Sequence, residues 1–143
     1  MPIREELQNF LNRYTAAYRV SDAAACAAIF VQNAELHSPF APSAHRRDAT
    51  HELHRIWTLE AGDENLVTVI DEGSTSELAW CLAAYSEAKA TDDGTSLNLP
   101  ERQADGTWLM HMCSLNSGEG WSLPRKERSR VESNSYHGDG TEA

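Results

Sequence analysis

Histidine residues supply the most accessible acid–base chemistry in this sequence of 143 residues, which contains six of them. The unperturbed pKa of imidazole lies near neutrality, so a histidine can take or release a proton at physiological pH. His37 lies in a short run with the pattern of a β-strand, and His111 lies in the middle of a later one. Each is a candidate general base, and each has the alternative of a core or interface histidine with a satisfied hydrogen bond.

Two further histidines, His51 and His54, are three positions apart in a segment with helical spacing, which raises the question of a metal site. The pair lacks the H-E-x-x-H spacing of zinc-binding helices, and no third ligand accompanies it. We therefore expect an exposed helix face, with no metal and no cofactor. Glu101 could act as an inward-facing base, but the solvated edge of a strand is the more common place for such an acid.

The other reactive residue types form no catalytic arrangement. Cys26, Cys81 and Cys113 are widely spaced in apolar contexts, without neighbouring basic residues that would lower a thiol pKa. They are typical of buried thiols in a reducing compartment, and we expect a cytoplasmic protein without a signal peptide. The net charge of −10 argues against nucleic acid and anionic membranes as partners. No apolar run approaches the ~20 residues that span a bilayer.

Three amphipathic segments predict helices in the first part of the chain. Apolar residues recur at 3–4 spacing over residues 3–18, and Asp22 can cap a second helix over residues 23–30. Asp48 can cap a third helix that ends near residue 59. We expect this third helix to bury Leu53, Ile56 and Trp57.

Alternating and β-branched runs predict strands at residues 33–39, 65–71, 77–89, 95–103 and 107–116. Asp-Gly at residues 93–94 and at Asp105-Gly106 favours tight hairpins, because both residue types tolerate positive φ. We expect residues 40–47 to form an irregular loop. Residues 118–143 carry few apolar side chains to offset their ordering entropy. We therefore expect one domain over residues 1–117 and a polar, flexible tail over residues 118–143.

The order of these elements resembles that of the nuclear transport factor 2-like superfamily, which includes ketosteroid isomerase-like and SnoaL-like proteins. Four local patterns carry the resemblance, at residues 14–22, 29–39, 77–80 and 102–108. It implies an α+β fold, a cone-shaped α+β barrel in which three N-terminal helices pack on a strongly curved, mostly antiparallel sheet. It also implies a homodimer and a pocket for a small hydrophobic molecule. Because this fold hosts isomerases, cyclases, dehydratases, epoxide hydrolases and non-catalytic modules, it does not settle function.

The resemblance assigns roles residue by residue. Tyr14 occupies the position where ketosteroid isomerases place a tyrosine that donates a hydrogen bond to a developing enolate oxygen. Their general-base aspartate corresponds to Ser38, which cannot act as a base near neutral pH unaided. Their second acid falls within residues 97–99, where no acid is present, and the acid that many SnoaL-like proteins carry near Cys113 is also missing. Asn116 matches the family pattern. Because the expected acids are missing, steroid-type isomerisation is disfavoured.

We therefore expect a cofactor-independent isomerase, cyclase or dehydratase that acts on a hydrophobic, oxygenated, polyketide- or terpenoid-like substrate. In this hypothesis Tyr14 donates to a substrate oxygen, and His37 or His111 moves the proton. The expected substrate-binding residues are Tyr18, Ser38, Trp57, Trp80, Trp108 and Asn116. Ordinary core packing is the alternative for Tyr14 and the tryptophans. The alternative function is a non-catalytic ligand-binding or assembly module, because the expected acids are missing.

Overall fold

The computed structural model describes residues 1–60, 65–86 and 94–117, and these form helices that pack on a six-stranded sheet. The helices are α1 (Ile3–Arg19), α2 (Ala23–Ala28) and α3 (Arg47–Trp57), and a 3₁₀ turn (Thr58–Glu60) follows α3. The strands are β1 (Phe30–Ser38), β2 (Ala41–His45), β3 (Leu66–Ser74), β4 (Ala79–Ser86), β5 (Gly94–Arg102) and β6 (Trp108–Ser117). No helix of the described residues is long and apolar enough to cross a membrane. Most of the expected turn near residue 93 and the expected tail at residues 118–143 lie outside the described residues.

The sheet is mixed and open. Its strand order is β2-β1-β6-β5-β4-β3, in which β1 and β6 are parallel and the other neighbouring strands are antiparallel. The expected α+β class, with N-terminal helices on a sheet, is confirmed. The expected strongly curved, cone-shaped barrel is not found: β2 and β3 are the two edges of a sheet that neither curls strongly nor closes.

A physical reason for the open edge at β3 lies in α1, which runs along it. The side-chain amide of Gln8 accepts a hydrogen bond from the Val69 N–H (2.8 Å) and donates one to the Val67 carbonyl oxygen (2.9 Å). Arg4 donates a further bond to the Ile70 carbonyl oxygen at 2.9 Å. These side chains occupy backbone groups that another strand would use, so the edge of β3 is covered by the helix.

The first two helices agree with the sequence pattern. The buried side of α1 follows the expected stripe, with Leu7, Phe10 and Leu11 in the core. Asp22 caps α2 by accepting a hydrogen bond from the Ala25 N–H at 3.0 Å. Local spacing and capping chemistry were therefore sufficient to place both helices.

The third helix has a different start and a different buried side from those expected. It begins after Arg46, whose φ is +81°, so Asp48 lies in the first turn and does not cap the helix. Thr50 and His54 are fully buried, whereas Ile56 is 64% exposed. Because residues 54 and 56 point about 200° apart around a helix, they cannot both face the core. The predictions of a buried Ile56 and of an exposed His54 were both wrong.

The prediction of an irregular loop at residues 40–47 was also wrong. Most of this segment forms β2, which pairs antiparallel with β1 and places His45 opposite Glu35. Pro42 is tolerated because β2 is an edge strand, where a missing N–H need not interrupt the ladder. The hairpin at Asp105-Gly106 is confirmed: Gly106 has a φ of +88° and links β5 to the antiparallel β6.

Side-chain alternation gives the sheet two different faces. On the face toward the helices, which we call the inner face, Cys81, Asn98 and Cys113 lie side by side across three strands and are buried. On the opposite outer face, Trp80 and Leu97 are 42% and 40% exposed. The hydrophobic core therefore lies between the helices and the inner face, and the outer face carries partly exposed apolar side chains.

Candidate functional site

Tyr14 on α1 and His54 on α3 form a hydrogen-bonded pair on the helix side of the sheet. The Tyr14 Oη lies 2.7 Å from the His54 Nε2. The other ring nitrogen of His54, Nδ1, lies 2.7 Å from the carbonyl oxygen of Thr50, one turn earlier in the same helix. Tyr14 is half-buried and His54 is fully buried. The pair therefore joins the two helices at the margin of the core.

The two hydrogen bonds of His54 define its protonation. A backbone carbonyl can only accept, so Nδ1 carries a proton and donates it to Thr50. Burial lowers the pKa of His54 to about 4, despite the opposing effect of this backbone bond. The ring is therefore neutral at pH 7, and its Nε2 has a free lone pair. It follows that the Tyr14 hydroxyl donates to His54.

Aromatic rings surround His54. The ring centroids of its four neighbours lie between 5.5 and 6.4 Å from the imidazole centroid. We call these five residues the aromatic cluster: Tyr14, Tyr18, Phe30, His54 and Trp57. The cluster brings together three residues that the sequence predicted for the site, Tyr14, Tyr18 and Trp57. All three are half-buried. An apolar surround with few polar groups suits a hydrophobic ligand that carries an oxygen.

His37 and His111 lie on the outer face and not at the aromatic cluster. The His37 Nε2 is 2.9 Å from the Glu35 Oε1, and the His111 Nδ1 is 3.1 Å from the Glu101 Oε2. Tyr14 packs against the core on the other side of the sheet. Within one chain, the structure thus does not bring Tyr14 together with either of the histidines that we expected to move its proton.

The other predicted binding residues are dispersed. The Ser38 hydroxyl accepts a backbone hydrogen bond in the turn between β1 and β2. Trp80 is on the outer face, and Asn116 is exposed near the end of β6. Trp108 is buried under α1, where its Nε1 donates to the Glu6 Oε1 at 3.1 Å. None of these four side chains belongs to the aromatic cluster.

Comparison with solved structures connects this geometry to a known fold. The structure is similar to a ketosteroid isomerase-like protein from Erwinia carotovora atroseptica, with a TM-score of 0.66 and 15% identity over 81% of this chain and 96% of that one. It is also similar to an NTF-2-like protein of unknown function from Shewanella oneidensis, with a TM-score of 0.68 and 18% identity over 80% and 98% of the two chains. The chain has the nuclear transport factor 2-like (NTF2-like) fold.

A third structural neighbour comes from Thiobacillus denitrificans and is a candidate calcium/calmodulin-dependent protein kinase type II association domain. Its TM-score is 0.65, with 16% identity over 76% of this chain and 91% of that one. No family model and no curated protein matches the sequence. The resemblance inferred from the sequence is confirmed at the level of the fold, and at these identities the likeness extends no further.

The thiols of this chain supply no nucleophile to the aromatic cluster. The three cysteines are free and buried, and burial raises the pKa of Cys26 and Cys113 to about 12 and that of Cys81 to about 11. These thiols are therefore unsuited to be nucleophiles at neutral pH. Among the described residues, no group of three His, Cys, Asp or Glu side chains is placed to hold a metal ion.

His54 is the functional candidate that our sequence interpretation missed. The sequence suggested His51 and His54 only as a pair of metal ligands. Because their spacing does not fit a zinc-binding helix, both were expected on an exposed helix face. The relevant signal was a different spacing: His54 lies one turn after Thr50 and next to Leu53, so that it shares a helix side with core positions. Its partner on α1 could not be read from local spacing.

Proposed function

We propose that this NTF2-like protein binds a hydrophobic, oxygenated small molecule at the aromatic cluster and acts on it as a cofactor-independent isomerase, cyclase or dehydratase. The observation that carries the proposal is the 2.7 Å hydrogen bond between Tyr14 and the buried, neutral His54. A polyketide- or terpenoid-like compound has the required combination of apolar surface and oxygen atoms. The half-buried rings of Tyr18 and Trp57 would pack against its apolar part.

In this proposal His54 takes the role of base that we first assigned to His37 or His111, and Tyr14 relays the proton to it instead of donating a hydrogen bond to a substrate oxygen. The Tyr14 oxygen accepts a proton from the substrate while its own proton passes to the His54 Nε2. The resulting imidazolium donates one N–H to Tyr14 and the other to the Thr50 carbonyl oxygen, and the reverse transfer delivers a proton to a different substrate atom. With a pKa of about 4, protonation of His54 at pH 7 costs about 4 kcal/mol. This free energy of protonation is well below the activation free energy of roughly 15 kcal/mol that corresponds to a typical enzymatic turnover rate.

A second candidate function is a non-catalytic ligand-binding or assembly module. It is favoured by the composition of the aromatic cluster, whose five side chains include no carboxylate, and by a Tyr14 proton that already has an acceptor. The similarity to a candidate association domain is consistent with this alternative. In that case Tyr14 and His54 act only as a structural tie between α1 and α3.

We also propose that the protein is a homodimer joined through the outer face. Leu78, Trp80 and Leu97 are between 40% and 51% exposed on or beside this face, and burial against a second copy would remove them from water. Sedimentation equilibrium tests this part of the proposal. A Leu97→Lys variant is expected to shift the mass from dimer to monomer, and a wild-type protein that sediments as a monomer would contradict it.

Native mass spectrometry of the protein purified from its own source tests the function. The assembly is weighed intact and again after denaturation, and a released compound is identified by its mass and fragmentation. The compound is then supplied to the purified wild type, to Tyr14→Phe and to Tyr85→Phe. The last variant is the matched control, because the Tyr85 hydroxyl donates to the Asn116 carbonyl oxygen away from the aromatic cluster.

The enzymatic proposal expects turnover that falls at least about 100-fold in Tyr14→Phe, because the proton relay is removed, and stays close to wild type in Tyr85→Phe. Equal turnover in Tyr14→Phe and wild type would show that Tyr14 has no catalytic role. A compound that binds but is returned unchanged by the wild type would favour the non-catalytic binding module. A stoichiometric protein partner, or a large ring without a small molecule, would favour the assembly module.

A further inference from the structure

The ends of α1 and α3 carry two exposed aliphatic side chains next to the aromatic cluster. Val20 is 73% exposed and Leu59 is 80% exposed, and each lies two positions after a half-buried ring of the cluster. The Ser21 hydroxyl donates a hydrogen bond to the Thr58 carbonyl oxygen at 2.9 Å, and this bond joins the two segments. We call Val20 and Leu59 the rim pair. With the exposed parts of the two rings, the rim pair presents an apolar surface to water.

The strand register places the end of β6 at the same end of the sheet as the rim pair. One row of paired residues crosses the four neighbouring strands from β6 to β3: Ser117, Gly94, Tyr85 and Val67. Arg19, the residue before Val20, donates to the carbonyl oxygen of Asn65 at 2.9 Å, and Asn65 immediately precedes β3. The chain therefore leaves the sheet after Ser117 at the end where the rim pair lies.

The chain that follows Ser117 is long enough to reach the rim pair. Residues 118–143 lie outside the described residues, and their sequence begins with Gly-Glu-Gly-Trp-Ser-Leu over residues 118–123. Neighbouring strands are about 4.8 Å apart, so the row from Ser117 to Val67 spans about 14 Å. An extended chain covers at most about 3.5 Å per residue, so Trp121 can lie up to about 14 Å from Ser117 and Leu123 up to about 20 Å. Both apolar side chains are therefore within reach of the rim pair.

The charge of the chain favours contact between this stretch and the rest of the protein. Residues 1–117 contain 8 basic and 17 acidic side chains, whereas residues 125–130 contain four basic side chains and one acidic side chain. The basic stretch that follows Leu123 is therefore attracted to the acidic domain. Because the stretch is tethered to β6, its effective concentration at the rim pair is high, and the contact needs no encounter between separate molecules.

We propose that residues 118–130, which we call the C-terminal segment, fold back over the aromatic cluster with Trp121 packed against the rim pair. An aromatic side chain buries a large apolar area and suits a surface made of aliphatic side chains and rings. The contact removes the rim pair from water and covers the exposed parts of the rings. A ligand then reaches Tyr14 only when the C-terminal segment lifts away. This role in ligand access rests on the proposed function, whereas the contact itself does not.

Paramagnetic broadening of amide signals in the full-length chain, without ligand, tests the contact. The three native cysteines are buried, so Ser122→Cys introduces one accessible thiol beside Trp121 for a nitroxide label. Spectra are compared before and after reduction of the label. We expect Val20 and Leu59 to lose most of their signal intensity, because the broadening falls steeply with distance. Gly106 should keep its signal, since it lies at the opposite end of β6, which is about 30 Å long.

Two variants of the labelled chain test whether Trp121 is the anchor. Trp121→Ser should restore the signals of Val20 and Leu59, because the label is no longer held at the rim pair. Tyr136→Ser is the matched control: it removes an aromatic side chain that follows the C-terminal segment in the sequence, and it should leave both signals broadened. Circular dichroism checks that each variant keeps its helices and strands.

Three outcomes would overturn the proposal. The first is full signal intensity for Val20 and Leu59 in the labelled chain, and the second is equal broadening with and without Trp121. The third is the same broadening in an isotope-enriched, unlabelled chain mixed with a spin-labelled chain, which would place the C-terminal segment of a second copy on the rim pair. All three are measured without ligand, so they do not bear on turnover by the Tyr14–His54 pair. Likewise, unchanged turnover in Tyr14→Phe would not bear on the contact.

Discussion

The Tyr14 hydroxyl and the His54 Nε2 lie 2.7 Å apart, so that one hydrogen bond joins α1 to α3 across forty positions of sequence. His54 is fully buried and donates its other ring N–H to the Thr50 carbonyl oxygen. With both ring nitrogens bonded, the imidazole satisfies the usual requirement for a polar group in a protein interior. The same bond is the structural tie between two helices and the proposed route for a substrate proton.

The strength of the Tyr14–His54 bond can be measured by a double-mutant cycle. Tyr14→Phe leaves a buried acceptor without a donor and is expected to lower the free energy of unfolding by about 1–3 kcal/mol. Each single variant already removes this bond. The loss of unfolding free energy in the Tyr14→Phe, His54→Leu double variant should therefore be about 1 kcal/mol smaller than the sum of the losses in the two single variants. Urea denaturation at neutral pH gives all four values. Fully additive losses would show that the bond contributes nothing to stability.

The stability of the fold is expected to fall in mild acid because of His54. Its pKa is about 4 in the folded protein, whereas the ordinary value for histidine is 6.5, so the unfolded chain binds more protons between these two pH values. The contribution of the neutral ring is therefore fully present above pH 6.5 and is lost as the pH falls toward 4. The free energy of unfolding should decrease by about 2 kcal/mol between neutral pH and about pH 5.

Urea denaturation of His54→Gln over the same pH range isolates this effect from the other histidines. The variant should have a flatter pH dependence than the wild type, because Gln does not titrate. His51→Ala is the matched control, since His51 is only half-buried in the same helix and is the smallest of the causes that shift the pKa of His54, and it should keep a slope close to that of the wild type. An unchanged slope in His54→Gln would mean that another group causes the acid sensitivity.

Gln8 is expected to stabilise the edge of the sheet. Its amide bonds the Val69 N–H and the Val67 carbonyl oxygen of β3. Gln8→Leu should lower the free energy of unfolding by about 1–2 kcal/mol and should accelerate hydrogen exchange at the Val69 amide. Asn9→Leu, an exposed position on the same helix, should leave that amide protected. Unchanged exchange at Val69 in Gln8→Leu would show that the side chain does not cover the edge.

Arg46 is expected to carry backbone strain just before α3. Its φ of +81° and ψ of 154° fall in a region that is favourable only for glycine. Arg46→Gly should raise the free energy of unfolding by about 1 kcal/mol, whereas Arg46→Ala keeps the β-carbon and should give no gain. Thermal denaturation of the two variants separates strain from loss of the exposed guanidinium. Equal stabilities of Arg46→Gly and Arg46→Ala would indicate that the conformation is not strained.

Local chemistry made several parts of this fold predictable. The apolar stripe of α1, the Asp22 cap of α2 and the Asp-Gly hairpin before β6 depend on residues within a few positions of one another. The same local rules failed at α3, because its helical spacing was compatible with two different buried sides. The core selected the side with Thr50 and His54.

Contacts between distant segments depended on the tertiary structure. Residues 40–47 looked irregular because Pro42 and short polar residues weaken any strand pattern, and only pairing with β1 makes the segment a strand. Likewise, His37 is adjacent in sequence to Ser38, the position of the general base in ketosteroid isomerases, but its side chain faces away from the helices, which separates it from Tyr14. Which face of a strand meets the core depends on its neighbours, and residue types alone leave this open.

The sequence by itself determined the residue types, the order of the helices and of the strands other than β2, and through them the resemblance to the NTF2-like fold. Only the tertiary structure decided that His54 is the partner of Tyr14 and that the rim pair and the end of β6 lie at one end of the sheet. The physical reason is range: helix and turn preferences act over a few residues, whereas a hydrogen bond across forty positions exists only after packing has brought two elements together.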